Sequence, residues 1–142
     1  MHLLKLTALD DDDLSVISAH LQDAVLRIGD IRYLPGQQRF AMVANRFDWQ
    51  GADGKKAMRR RCGVHFDRVR AVQSRKVRQG ANDAVLSLLA VEFKAGDEAP
   101  EGAIELTLSG GGSIRLDVEC IEASLEDLGP MWETGNIPSH DD

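Results

Sequence analysis

The stretch Ile104-Glu105-Leu106-Thr107-Leu108-Ser109-Gly110-Gly111-Gly112-Ser113-Ile114-Arg115-Leu116-Asp117-Val118-Glu119-Cys120 decides the fold. Apolar side chains fill every second position on both sides of three glycines. That is the period of a strand with one buried face, and glycine supplies the backbone freedom that closes a hairpin. Upstream, the polar, proline-containing run from Ala95 to Gly102 reads as a loop after a strand over Ala84 to Lys94, which is entered through the turn Gln79-Gly80-Ala81-Asn82. Before it, Asp53-Gly54 opens a strand from Lys56 to about Val69. Pro35-Gly36 joins Val25–Leu34 to Arg39–Trp49, because proline presets φ and glycine accepts a positive φ at the next position.

The ends of the chain change period. Leu3 to Leu9 predicts a first strand, and the four aspartates Asp10 to Asp13 complement the positive end of a helix dipole. Leu14, Ile17, Leu21, Ala24 and Val25 then form one apolar stripe, with Ser15, Ser18, Gln22 and Asp23 turned outward, which predicts a core-facing helix. Near the C-terminus, Ser124 and Asp127 resemble a capping box, and Leu125 and Leu128 predict a short helix that stops at Gly129-Pro130. About seven strands in sequence-adjacent hairpins predict an α+β fold, mainly antiparallel β. The expected form is a curled sheet or a pleckstrin-homology-like barrel, with an N-terminal helix and a short C-terminal one. Residues 1–132 read as a single domain and 133–142 as a flexible tail.

At 142 residues, 43% hydrophobic and 28% charged, the chain has enough apolar content for one core without a metal or disulfide staple. No apolar run approaches the roughly 18 residues of a membrane span. Residues 1–20 carry aspartates where a signal peptide has a basic and then an apolar region. Cys62 and Cys120 lie far apart and lack metal-ligand spacing. A cytoplasmic protein without a cofactor, a metal or a membrane partner is expected.

Charge is the strongest local anomaly. Residues 55–78 hold 10 of the 17 basic residues against the single acid Asp67, so this segment carries +9 and leaves −15 for the rest of a chain of net charge −6. Clustered Lys and Arg are the electrostatic footprint of an anionic partner, nucleic acid or an acidic protein surface. Read as a strand, the segment points Met58, Cys62, Val64 and Phe66 one way and Arg59, Arg61, His65 and Asp67 the other, so part of the charge is a solvated face. Arg60 and Arg68 fall on the apolar side. There they must reach water at the sheet ends or pair with acids such as Glu92 or Glu105. Among aromatics, Phe66 alone falls in the segment, which disfavours a binder that stacks bases.

Reactive motifs are scarce. Cys62 and His65 are offset by three, which puts them on opposite faces of a strand. His20 lies beside the helix stripe without an identifiable partner, and the glycine run leads into a strand with no Walker lysine. No nucleophile elbow, zincin helix or EF-hand loop is present. Tyr33, Phe40, Phe47 and Trp49 cluster in the first long hairpin, and Trp132 follows the last predicted helix. Large side chains of this kind pack cores, and tryptophan also anchors interfaces. The candidate binding residues are therefore Arg59, Arg61, His65, Arg70, Arg75, Lys76, Trp49 and Trp132, with no catalytic or metal-ligating candidate.

The segments His20-Leu21-Gln22-Asp23-Ala24-Val25, Tyr33-Leu34-Pro35, Asn45-Arg46-Phe47-Asp48-Trp49, Leu88-Leu89-Ala90-Val91-Glu92-Phe93 and Leu116-Asp117-Val118-Glu119-Cys120-Ile121 resemble an alphaproteobacterial family of uncharacterised proteins, domain of unknown function 2948. The resemblance spans nearly the whole chain. It implies a small bacterial cytoplasmic protein and transfers no site. Two readings follow: a non-enzymatic protein-binding or adaptor module that uses a sheet edge or barrel end, and, as the alternative, nucleic-acid or other polyanion binding through residues 55–78.

Overall fold

The glycine-punctuated hairpin forms as its alternation dictates. In the computed structural model, β7 (Gly102–Leu108) pairs with β8 (Ser113–Val118), and Gly110 and Gly111 turn the chain at φ 79° and 83°. The structure describes residues 3–50, 56–78 and 80–133, with backbone alone for 49, 50, 56, 57 and 130–133. The other strands are β1 (Lys5–Ala8), β2 (Ala24–Leu34), β3 (Arg39–Gln50), β4 (Lys56–Phe66), β5 (Val69–Arg75), β6 (Val85–Ala95) and β9 (Ala123–Glu133). All nine join one antiparallel sheet in the order β1-β9-β4-β3-β2-β6-β7-β8-β5.

The helix α1 (Asp11–Leu21) starts where the aspartates predict, with the Asp13 amide donating to the Asp10 side chain at 2.8 Å as an N-cap. Its stripe buries Leu14, Ile17 and Leu21. Ala24 belongs to β2, since Gln22 ends the helix and Asp23, at φ 68°, turns the chain into the strand. Ser18 is not turned to water. Its Oγ accepts the Val91 amide at 2.9 Å, at a point where β6 has run past the start of β2 and lacks a strand on that side. The helix thereby covers the exposed second half of β6.

Two expectations change. The Ser124–Leu128 segment is strand β9 and not a C-terminal helix: Ala123, Leu125 and Asp127 point inward, and Ser124, Glu126 and Leu128 point outward. An aspartate at an inward position broke the apolar alternation that marks a strand. The basic strand ends at Phe66, because Arg68 takes a left-handed φ of 61° and swings the chain out to β5. Five strands separate β4 from β5 in the sheet. The Pro35 turn forms as a short 3-10 segment, with Gln38 rather than Gly36 supplying the positive φ. The Asp53-Gly54 turn and residues 134–142 of the expected tail lie outside the described residues.

The core fills the inner face of this curled sheet, with the Phe40 and Phe66 rings in contact at a 6.3 Å centroid separation and tilted by 47°, and with Leu21, Leu88, Ile104, Leu116 and Leu125 fully buried around them. The described strands do not close into a barrel. β1 and β5 are the free edges. Beyond Arg27, β2 has no ladder to β6, so Ile31–Leu34 pair on the β3 side alone. No helix among the described residues is long and apolar enough to cross a membrane.

Candidate functional site

Breaking the basic segment at Arg68 disperses its charge. Arg59 is nearly buried on the outer face of β4. Its Nη1 donates to the Asp23 carbonyl at 2.9 Å and its guanidinium lies 5.1 Å from the centre of the Phe47 ring. Burial lowers its pKa, offset in part by Asp23. Arg61 is exposed beside Asn45. Arg68 pairs with Glu122 at 3.4 Å, and Arg70 donates to Asp117 at 3.1 Å and Glu101 at 3.3 Å. Arg75, Lys76 and Arg78 are exposed and form no ion pair among the described residues. The register aligns Trp132 of β9 with Arg59 and Phe47, and Trp49 with Ala57; the two tryptophan side chains lie outside the described residues. The predicted binding residues are thus divided between the outer face of β4 and the distant strand β5.

His65 is the better ordered part of this set. Its ring Nδ1 lies 2.9 Å from Asp67 Oδ2, and Arg39 Nε donates to Asp67 Oδ1 at 2.7 Å, a relay that fixes the imidazole orientation. The histidine borders an open groove of about 500 Å³ floored by Ala41, Val43 and Gly63 and flanked by Lys5, Glu126 and the exposed Leu128. Ser124 stands directly across the ladder, yet the one hydrogen bond of the His65 ring among the described residues goes to Asp67. An oriented base without an engaged nucleophile falls short of a catalytic constellation.

The strongest electrostatics lie on the inner face. Arg46 of β3 and Arg60 of β4 are direct cross-strand partners, both buried. Asp127 of β9 neutralises them: Arg46 Nε and Nη2 donate to its two oxygens at 2.9 and 3.0 Å, and Arg60 Nε lies 3.6 Å away. The Leu4 amide adds a bond to Asp127 Oδ2 at 2.8 Å. Burial alone would raise the Asp127 pKa; the Arg46 and Leu4 hydrogen bonds and the charges of Arg46 and Arg60 outweigh it and hold the carboxyl below its usual range. Arg60 remains under-satisfied, with Nε and Nη1 buried and without a hydrogen-bond acceptor among the described residues. Its inward position was legible in the sequence. Its acid is Asp127 rather than Glu92 or Glu105, and that long-range pairing left no sequence signal.

Cys62 lies beside this cluster on the inner face, opposite to His65, and burial pushes its pKa up to about 12 with a further rise from Asp127, against lowering by Arg46 and a hydrogen bond with the Ala44 backbone. An acid whose pKa is higher in the folded state disfavours folding once the unfolded form ionises. From about pH 9 upward, stability should therefore fall by up to about 1.4 kcal/mol per pH unit on account of Cys62. Denaturant titrations of the wild type and Cys62→Ala at pH 8 and pH 10.5 should show a smaller decline in the variant.

A third feature follows from the open sheet. Between β5 and the unpaired half of β2 lies an apolar slot of about 230 Å³, lined by Ile28, Ile31, Tyr33, Val72, Val77 and Ile114. Its far end is tied by the Tyr33 hydroxyl donating to the Val69 carbonyl at 3.2 Å and the Val69 amide donating to the Gln38 carbonyl at 2.9 Å. Sequence reading missed the slot because it depends on where the sheet fails to close.

Compared with known proteins, residues 4–140 match the family model described as Protein of unknown function (DUF2948), and the chain belongs to that family. No curated protein and no solved structure gives a significant match.

Proposed function

We propose that this member of the DUF2948 family is a protein-binding module of the bacterial cytoplasm, not an enzyme, and that it takes an extended segment of its partner at the open edge of the sheet. The observation that carries this reading is β5: beyond Val69, the outer side of this edge strand has no ladder partner among the described residues. A free edge offers main-chain donors and acceptors in register, and strand addition uses them for affinity while neighbouring pockets select side chains. The slot beside β5 supplies such a pocket. Against the polyanion alternative, Arg59, Arg60, Arg68 and Arg70 are all engaged within the chain, and the exposed cations Arg61, Arg75, Lys76 and Arg78 are split between β4 and the end of β5 and do not form one stripe along a phosphate backbone. Two free thiols, Cys62 buried and Cys120 half-buried, fit a reducing compartment.

The test is capture from an extract of the host with the purified chain as bait, with and without nuclease. A protein retained equally in both arms is the expected result. Recovery of nucleic acid without protein, or of nothing, would contradict the reading.

A further inference from the structure

We infer that His65 is a phosphoryl-accepting residue, whose Nε2 takes the phosphoryl group of a phosphoramidate donor such as a phosphohistidine on another protein; this stands apart from the strand-edge reading above. The tautomer comes first. An ionised carboxylate only accepts hydrogen bonds, so the 2.9 Å contact with Asp67 Oδ2 requires a proton on the His65 Nδ1. The nucleophilic lone pair of the neutral ring is then on Nε2. Arg39 fixes Asp67 from the other side, with Nε donating to Oδ1 at 2.7 Å, which holds the imidazole in one orientation. Among the described residues Nε2 has no hydrogen-bond partner, and the side chain is 36% exposed at the border of the outer-face groove. The positions beside it are small. Ser124 and Ala41 stand directly across the β9 and β3 ladders, and Gly63 precedes it on the same face of β4, which leaves room for a phosphoryl group to approach.

The charge around the ring suits the group that arrives. A phosphoryl group in transfer spreads negative charge over its peripheral oxygens, and fixed cations nearby stabilise it. The groove is lined by three cations, Lys5, Arg32 and Arg39, and two acids, Asp30 and Glu126. Glu126 faces Lys5 across the β1–β9 ladder, and Asp30 lies two residues before Arg32 in β2. The third acid, Asp67, is occupied by the ring and by Arg39. Arg39 engages it through Nε alone among the described residues, which leaves the Nη donors for a phosphoryl oxygen. In the step, the Nε2–P bond forms as the donor's P–N bond breaks, and the donor nitrogen leaves with the bonding pair as a neutral amine or imidazole. The Nδ1 proton stays on His65, so no base is needed. Asp67 then balances the ring, which becomes cationic on phosphorylation.

The test treats the intact chain with potassium phosphoramidate and follows each histidine by mass spectrometry, under neutral to alkaline conditions that preserve P–N bonds. His2, His20 and His140, the other three histidines, are the internal reference. His65 should be labelled about tenfold faster or more than any of them, and on Nε2 alone as read by nitrogen and phosphorus NMR. Asp67→Ala should bring His65 down to the reference rate, and His65→Gln should remove the fast adduct. Cooperative thermal transitions establish that both variants fold. Labelling of His65 no faster than the other histidines, labelling on Nδ1, or an undiminished rate in folded Asp67→Ala would overturn the assignment. If Asp67→Ala does not fold, the wild-type rates and the identity of the phosphorylated nitrogen decide the matter alone. Capture of a host protein bears only on the protein-binding reading, so the two fail separately.

Discussion

Replacing Asp127 by alanine is expected to destabilise the domain by about 3–5 kcal/mol, because it leaves two buried guanidinium groups, Arg46 and Arg60, facing each other across the β3–β4 ladder, with the longer 3.5 Å contact from Arg46 to the partly exposed Asp48 as the remaining counter-charge. Four interactions vanish together: two hydrogen bonds from Arg46, the ion pair with Arg60 and the bond from the Leu4 amide that ties the start of the chain to β9. Arg60→Met provides the contrast. Arg60 contributes a weak 3.6 Å ion pair and carries two buried nitrogens without acceptors, so an apolar side chain of similar length should be neutral or stabilising. Urea unfolding of the two variants checks both signs. The Asp127 pKa is depressed in the fold, so its contribution is present above the unfolded carboxylate pKa and is lost as pH falls through the lower folded value. The penalty of Asp127→Ala should therefore shrink when measured in acid.

The second large effect concerns Gly102, the first residue of β7. A Cβ there would meet the Lys94 carbonyl oxygen at 2.4 Å and the Phe93 ring at 2.6 Å. The carbonyl belongs to the β6–β7 ladder and has little room to retreat. Gly102→Ala should cost about 3 kcal/mol, at the upper end of overpacking penalties, despite adding one methyl group. Gly36→Ala, with open space at the same test, is the matched control and should change stability little. Thermal unfolding of the pair makes the comparison.

These two sites also show what was readable in the sequence. The β7–β8 hairpin was legible because Ile104, Leu106, Leu108, Ile114, Leu116 and Val118 alternate without a break around a turn that glycine permits. The start of α1 was legible from Asp10, whose side chain caps it. β9 was not, because Asp127 occupies a position where a core strand would place an apolar residue. Its reason for being there, the paired arginines of β3 and β4, is created by tertiary pairing. The break at Arg68 was equally hidden, since a left-handed arginine carries no composition signal, and without it the basic residues of 55–78 read as one surface. The inward position of Arg60 was read correctly from its parity with Cys62 and Val64. The slot was out of reach, because it depends on the extent of the β2–β6 ladder and on the free edge of β5.

The open edge is the central claim, and amide hydrogen exchange over residues 69–78 tests it most directly. Exchange is followed by mass spectrometry on the free chain and on the chain bound to the protein captured from its host. Amides beyond Val69 that point away from β8 should exchange readily in the free chain and be slowed strongly on binding, as they enter a new ladder, while those bonded to β8 are protected in both states. Protection confined to other surfaces, with residues 69–78 unchanged, would contradict the account.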